Sequence, residues 1–202
     1  MNFANYGRFA AIAACCALLG ACAFGQKITY SSTVADIDAQ GTKSVAVATL
    51  DERPYILNND KKPSFVGLSR GGYGNPFDVE TPNGTPLSDE ISQAVSKSLS
   101  ERGFKTTVVL TKPSPSRRAT LEAMQKTGAE RGVCVTLKEW KSDKYFRTSL
   151  IQDVNVKVYD ATGKELASAN FTSDEVVGDV PAAFRAKMEA WFADDKIVEA
   201  LK

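Results

Sequence analysis

Few stretches of this chain carry residue types that could do chemistry. Gly67-Leu68-Ser69-Arg70-Gly71 has the G-x-S-x-G spacing of a nucleophile elbow, which presents a serine between a strand and a helix. Such a serine needs a base, and the chain contains no histidine. The residues that follow, Gly72-Tyr73-Gly74-Asn75-Pro76, cannot open a helix. No serine stands three residues before a lysine, so a lysine base of that spacing is excluded too. Asp51, Glu52 and Asp78 are candidates for a carboxylate pair flanking a glycosidic bond, the chemistry of an envelope enzyme acting on glycan or peptidoglycan. Asp36-Ile37-Asp38-Ala39-Gln40-Gly41 begins like a calcium loop, but its twelfth position is Val47 where a bidentate glutamate is required. The absence of histidine also removes the commonest metal ligand, and no metal or cofactor motif remains.

The stretch Arg70-Gly71-Gly72-Tyr73-Gly74-Asn75-Pro76-Phe77 is unusual in another way. Its glycines permit positive φ, and its aromatics are expected to pack on a sheet. Arg70, Gly71, Gly72, Tyr73, Gly74, Asn75 and Phe77 form the candidate binding loop, with backbone N–H groups, a guanidinium and a phenol to offer a peptide or glycan. Asp51 and Arg53 are expected to pair with each other or with this loop.

A different chemistry is written near the start. An apolar run over residues 9–19 follows a leader whose one charge is Arg8, and small residues precede Cys22. This is the layout of a cleaved secretory signal, too short for the roughly 20 residues that span a bilayer. Leu19-Gly20-Ala21-Cys22 resembles the signal of bacterial lipoproteins, which implies cleavage between Ala21 and Cys22, diacylglycerol on the Cys22 thiol and attachment to membrane. Ala23, which is not aspartate, implies by the same resemblance transport to the outer membrane. Cys15 and Cys16 leave with the leader, so Cys134 is the one thiol left. Set in Val133-Cys134-Val135, it reads as a small buried hydrophobe.

Without Arg8 the mature chain balances 24 basic against 24 acidic residues, so no global field draws nucleic acid. With 43% hydrophobic and 24% charged residues, composition is that of one globular domain. The expected division is a signal peptide at 1–21, a lipidated N-terminus and tether at 22–42, and a single domain at 43–202. As free coil the tether would span roughly 25 Å, with an edge strand expected at 27–34.

The elements that position the candidates follow in order. Residues 43–50, valine-rich and nearly all apolar, predict a strand buried on both faces. Residues 51–86 hold five of the eight prolines and five of the fourteen glycines, and read as an irregular ordered surface loop with a short strand at 64–68. Leu87, Ile91, Val95 and Leu99 recur every four residues and predict a helix over 87–102, capped by Thr85 or Ser88 and stopped at Gly103. A strand at 104–110 completes a β-α-β unit with 43–50, right-handed by rule. A weaker helix at 117–127 precedes a strand at 133–140. Clean alternation from 144 to 159 places Phe146, Thr148, Leu150, Val154, Val156 and Val158 on one face of an antiparallel strand. Asp160-Ala161-Thr162-Gly163 turns the chain into a strand at 165–173, and Pro181 opens a final helix. The fold class is therefore α+β or mixed α/β: one central mixed sheet, a βαβ unit followed by an antiparallel meander, with helices packed mainly on one face and a C-terminal helix.

This order of elements resembles the YajG-type family of small bacterial lipoproteins. The resemblance rests on Leu19 to Cys22, on the strand ending in Asp51-Glu52-Arg53, on the helix closing in Glu101-Arg102-Gly103-Phe104, and on the hairpin and C-terminal helix. It implies an envelope lipoprotein with no defined activity; the anchor at Cys22 makes the membrane an expected partner, and the candidate loop at 70–77 points to envelope proteins or glycan, for a non-enzymatic binding or scaffolding module. The insertion at 64–86 is longer than the loop that family implies.

Overall fold

The computed structural model describes residues 25–114 and 116–202. Cys22, Ala21 and the leader lie outside the described residues, so the lipidation site does too. Among the described residues seven strands form one mixed sheet: β1 (Ser44–Asp51), β2 (Phe65–Arg70), β3 (Pro76–Glu80), β4 (Lys105–Val109), β5 (Arg131–Lys144), β6 (Thr148–Asp160) and β7 (Glu165–Val177). The helices are a single turn α1 (Pro54–Leu57), then α2 (Leu87–Glu101), α3 (Arg118–Gln125), α4 (Val180–Trp191) and α5 (Asp195–Leu201).

β1, α2 and β4 make the expected β-α-β unit, with β1 and β4 parallel. β5, β6 and β7 are the antiparallel meander. Val45 and Val47 of β1 enter the larger core, whereas Ala46, Ala48 and Leu50 enter a smaller one on the opposite face, so the strand is buried on both sides as its composition requires. The larger core is closed by α2, α4 and α5, and the smaller by α3 through Met124. Leu87, Ile91, Val95 and Leu99 are all fully buried, each side chain contributing on the order of 1.5–3 kcal/mol. α2 ends as the sequence requires. Gly103 (φ 94°) donates to Ser100 O and Phe104 to Leu99 O, the paired bonds of a Schellman motif. Its start differs, because Pro86 occupies the N-cap and no side chain caps it.

Two expectations for the first half of the chain do not hold. Residues 26–41 are no free tether. Tyr30, Ile37 and Ala39 are fully buried, and the segment is strapped across α2. The Glu90 carboxylate accepts the N–H groups of Tyr30 (2.9 Å) and Ser31 (2.7 Å), and Ser98 Oγ accepts that of Ala35 (3.0 Å). The Tyr30 ring meets Phe184 edge-on at 5.0 Å and Trp140 at 6.0 Å, and Trp140 Nε1 donates to its hydroxyl at 3.2 Å. The expected edge strand at 27–34 is reduced to one parallel bridge between Lys27 and Glu80.

The insertion is likewise no irregular loop. It folds as α1, the antiparallel β2–β3 hairpin and a 3-10 turn at Pro82–Gly84. Its glycines and prolines mark the turns of a hairpin rather than the absence of strands.

Candidate functional site

β5 is long enough to carry two neighbours in series on one edge. β1 pairs with its first half, ending at Asp51↔Leu137, and β2 pairs parallel with its last residues, Gly67↔Ser142 to Ser69↔Lys144. Between them the chain leaves the edge, and Arg53 fills the interval. Its guanidinium is fully buried and every N–H donates. Nε and Nη2 bind the Asp51 carboxylate at 2.8 and 2.7 Å. Nη1 reaches Phe65 O at 2.7 Å and Trp140 O at 3.3 Å, and Nη2 reaches Pro63 O at 3.4 Å. Burial works to lower the Arg53 pKa, but the Asp51 hydrogen bonds and charge outweigh it and hold the guanidinium above its ordinary value. Tyr55 covers the assembly, its ring 5.5 Å from the guanidinium carbon. The expected Asp51–Arg53 pair thus exists, and it is a structural peg that sets where β2 starts.

From that start β2 runs to the candidate loop. Gly67 is required here, because a Cβ would strike the Ser142 carbonyl where β2 approaches β5. The turn itself spans Gly71 to Asn75, closed by Gly71 N–H to Asn75 O (2.9 Å) and Gly74 N–H to Gly71 O (2.8 Å), with Gly74 at φ 82°. Arg70 locks it: Nε and Nη2 fork onto Asp143 at 2.8 and 2.6 Å, and Nη1 reaches Gly74 O at 3.3 Å. That fork holds the Asp143 carboxyl below the usual carboxylate range. The sequence-predicted residues are therefore together in one hairpin. Their expected packing is corrected for Tyr73, which is 98% exposed instead of lying on the sheet, while Phe77 is half-buried opposite Ser69.

Residues 144–147, absent from the sequence-based site, complete it. The strand expected from residue 144 begins at Thr148, and Tyr145–Arg147 is the β5–β6 turn, closed by Tyr145 N–H to Arg147 O at 3.0 Å. Phe146, expected to face inward, is 88% exposed, and its ring lies 4.0 Å from that of Tyr145. Because Ser69 pairs with Lys144, the two turns stand side by side at one end of the sheet. Val176, opposite Ser149, belongs to the same end. Of the seven exposed large hydrophobics among the described residues, four (Tyr73, Tyr145, Phe146 and Val176) gather here, which makes a patch of what would otherwise be scatter. Beside it lies a groove of about 420 Å³ between the strap and the start of α4, lined by Ile28, Leu68, Val79, Ser142, Thr148 and Val180. The signal in the sequence was the polar run Lys141-Ser142-Asp143-Lys144 ahead of two adjacent aromatics, which breaks the alternation at a turn.

The catalytic candidates are dispersed. Ser69 is buried within β2 and no helix follows it, so there is no elbow. The Asp51 carboxylate is enclosed by Arg53, and Asp78 is on the surface, paired with Lys61 at 2.6 Å. Asp36 pairs with Arg102, and no group of three or more metal-ligating side chains occurs among the described residues. Cys134 is fully buried, and burial pushes its thiol up to about 11. No helix among the described residues is long and apolar enough to cross a membrane.

No family model matches the chain. No curated protein matches it either. Among solved structures it is similar to a Xanthomonas campestris protein of the DUF330 family, at 13% identity over 88% of this chain and 87% of that one, with a TM-score of 0.45. It is also similar to PelC, a dodecamer from Paraburkholderia phytofirmans, at 13% identity over 76% and 87% of the two chains, TM-score 0.44. Lipoprotein GNA1162 from Neisseria meningitidis is a third, at 14% identity over 75% and 94%, TM-score 0.33.

Proposed function

We propose that this chain is a lipid-anchored lipoprotein of the bacterial cell envelope, of the YajG type, working as a non-enzymatic binding or scaffolding module. Cys22 carries the lipid, and the body stands at the periplasmic face of the outer membrane, with envelope proteins or glycan as its partners. The observation that carries this reading is Leu19-Gly20-Ala21-Cys22 behind an apolar run. More than one acyl chain gives durable attachment without help from the fold. The enclosure of Asp51 by Arg53 and of Ser69 within β2 supports the non-enzymatic reading, and the hairpin at the end of the sheet is the surface offered for contact.

The test is metabolic labelling with palmitate, followed by fractionation. The native chain is expected to take up label and to sediment with outer membrane, and Cys22→Ser is expected to lose the label. Label that persists in Cys22→Ser, or a native chain that takes up none, overturns the reading. In an enterobacterial host, Ala23→Asp is expected to move the labelled protein to the inner membrane.

A further inference from the structure

We infer that the end of the sheet formed by the β2–β3 and β5–β6 turns is a bilayer-contact surface. Tyr73, Tyr145 and Phe146 stand at the headgroup level of the membrane that holds Cys22, and Lys144 and Arg147 face its anionic lipids. This rests on the lipid-anchor reading above and goes beyond it by naming what covers the exposed turns.

The first ground is composition. Two tyrosines and a phenylalanine beside two exposed basic residues combine an apolar body, polar tips and positive charge, the chemistry of the membrane interface. Asp143 does not oppose it, because Arg70 neutralises that carboxylate. Tyr73 and Phe146 are almost wholly exposed, so they project from narrow turns rather than line a concave or flat face.

The second ground is chain length. Lys27 is fixed level with Glu80 by Ile28 N–H to Glu80 O (3.0 Å) and Glu80 N–H to Gln26 O (3.3 Å). Cys22 is five residues earlier, so it lies within roughly 17 Å of that point at 3.3–3.6 Å per residue. The turn at Pro76 is four residues of β3 away, about 13 Å, and within reach. The opposite end is not. Phe65, opposite Glu80, is level with Trp140 because Arg53 Nη1 bonds both carbonyls, and Trp140 pairs with Gln152. From Gln152 to the turn after Asp160 is eight residues, about 27 Å. An anchor this short holds the aromatic end against lipid and keeps the other end away from it.

The experiment uses the full-length lipoprotein, purified from membranes and reconstituted into vesicles of phosphatidylethanolamine and phosphatidylglycerol with shallow brominated acyl chains. Phe146→Trp places an indole in the tip, and Leu166→Trp places one at the far end, beside the Asp160 turn. The native Trp140 and Trp191 are fully buried and give a constant background. The indole at position 146 is expected to emit at shorter wavelength in vesicles and to be quenched by bromine, while that at 166 keeps water-like emission without quenching. Water-like, unquenched emission at 146 in a protein that carries palmitate overturns the tip proposal and leaves the anchor reading standing. A protein without palmitate overturns the anchor reading and this inference with it. A blue shift at 146 that appears without vesicles and grows with protein concentration assigns the tip to a second copy of the chain and also overturns the proposal.

Discussion

Replacing Arg53 by methionine keeps most of the side-chain volume and removes the charge and all five donors. Asp51, whose side chain is 1% exposed, is then left as a buried carboxylate without its counter-ion. Breaking a buried pair in this way costs about 3–5 kcal/mol. The Phe65 carbonyl loses its Arg53 donor as well, a loss of order 1 kcal/mol where water cannot enter, whereas Trp140 O keeps the Tyr55 hydroxyl and Pro63 O keeps the Leu87 N–H. These losses overlap, so about 4 kcal/mol is the working figure, which lowers Tm by roughly 8–16 °C for a body of this size. The double variant Asp51→Leu, Arg53→Met buries no charge. It is expected to be more stable than the sum of the single losses by about 2 kcal/mol, the coupling energy of groups in direct contact. Urea unfolding of the native chain, both single variants and the double variant measures all four corners. The reasoning is refuted if Arg53→Met costs under about 1 kcal/mol, or if the single losses add within about 0.5 kcal/mol, the tolerance of independent sites. Either result would mean that water reaches the guanidinium and that the peg is not what joins the two halves of the sheet edge.

Glu90→Leu is expected to cost about 2–4 kcal/mol in urea unfolding, because two N–H groups of the strap lose their acceptor, whereas Lys97→Ala, which loses one exposed bond to Ser31 O, stays within about 0.5 kcal/mol. Asp143 is held below the ordinary carboxylate range by Arg70, so its contribution is present above the unfolded value near 3.9 and is lost as pH falls through the lower folded value. Amide exchange in the turn 71–75 is therefore expected to accelerate below about pH 4, ahead of β6; Arg70→Ala is expected to show that acceleration at neutral pH with under about 1 kcal/mol lost globally. Cys134 is expected to resist a thiol reagent at pH 8 in the native state and to react on unfolding. Its raised folded pKa of about 11 also means that the thiol's contribution to stability, complete below the unfolded value near 8.5, is lost as pH rises from there toward 11, and Cys134→Ala is expected to flatten that part of the alkaline unfolding curve.

What could be read from the sequence was what is decided locally. The valine strand, the four-residue stripe of α2 and its Schellman stop depend on residues a turn apart, and they appear within a residue or two of their expected bounds. The strap was missed because its partners lie about sixty residues away. Nothing in residues 26–41 announces that Glu90 and Ser98 will accept its N–H groups, or that Tyr30 will enter a cluster with Trp140 and Phe184. The strand expected at 64–68 is β2, but its hairpin with β3 was missed for a related reason. Its glycines and prolines dominated the local pattern, while its strand character is completed by parallel pairing with the far half of β5. The candidate loop was singled out on composition alone and its residues share one hairpin, but its companion turn was not anticipated. Alternation carried the expected strand through Phe146, and only the pairing of Thr148 with Val177 shows where β6 begins.

The hairpin and its companion turn were missed for one cause, the length of β5. A strand of fourteen residues outruns its first parallel neighbour, and its remaining edge must be paired or left open. The chain solves this by leaving β1 at Asp51, filling the interval with the Arg53 guanidinium and returning as β2. The consequence is a division of labour along a single strand. Residues 132–137 of β5 are buried between β1 and β6 and carry the core. Residues 142–144 hold the hairpin by a short register and by the Arg70–Asp143 fork, with little apolar burial beneath the turn. Exposed side chains on so thin an extension gain nothing for the stability of the body, since Tyr73 and Phe146 leave nearly all their surface in water. Their position is nevertheless fixed by two bidentate arginine–carboxylate pairs, Arg53–Asp51 at the base and Arg70–Asp143 at the tip. Exposed aromatic residues held in this way are what the proposed bilayer contact requires, and the proposed anchor at Cys22 is close enough in sequence to supply it.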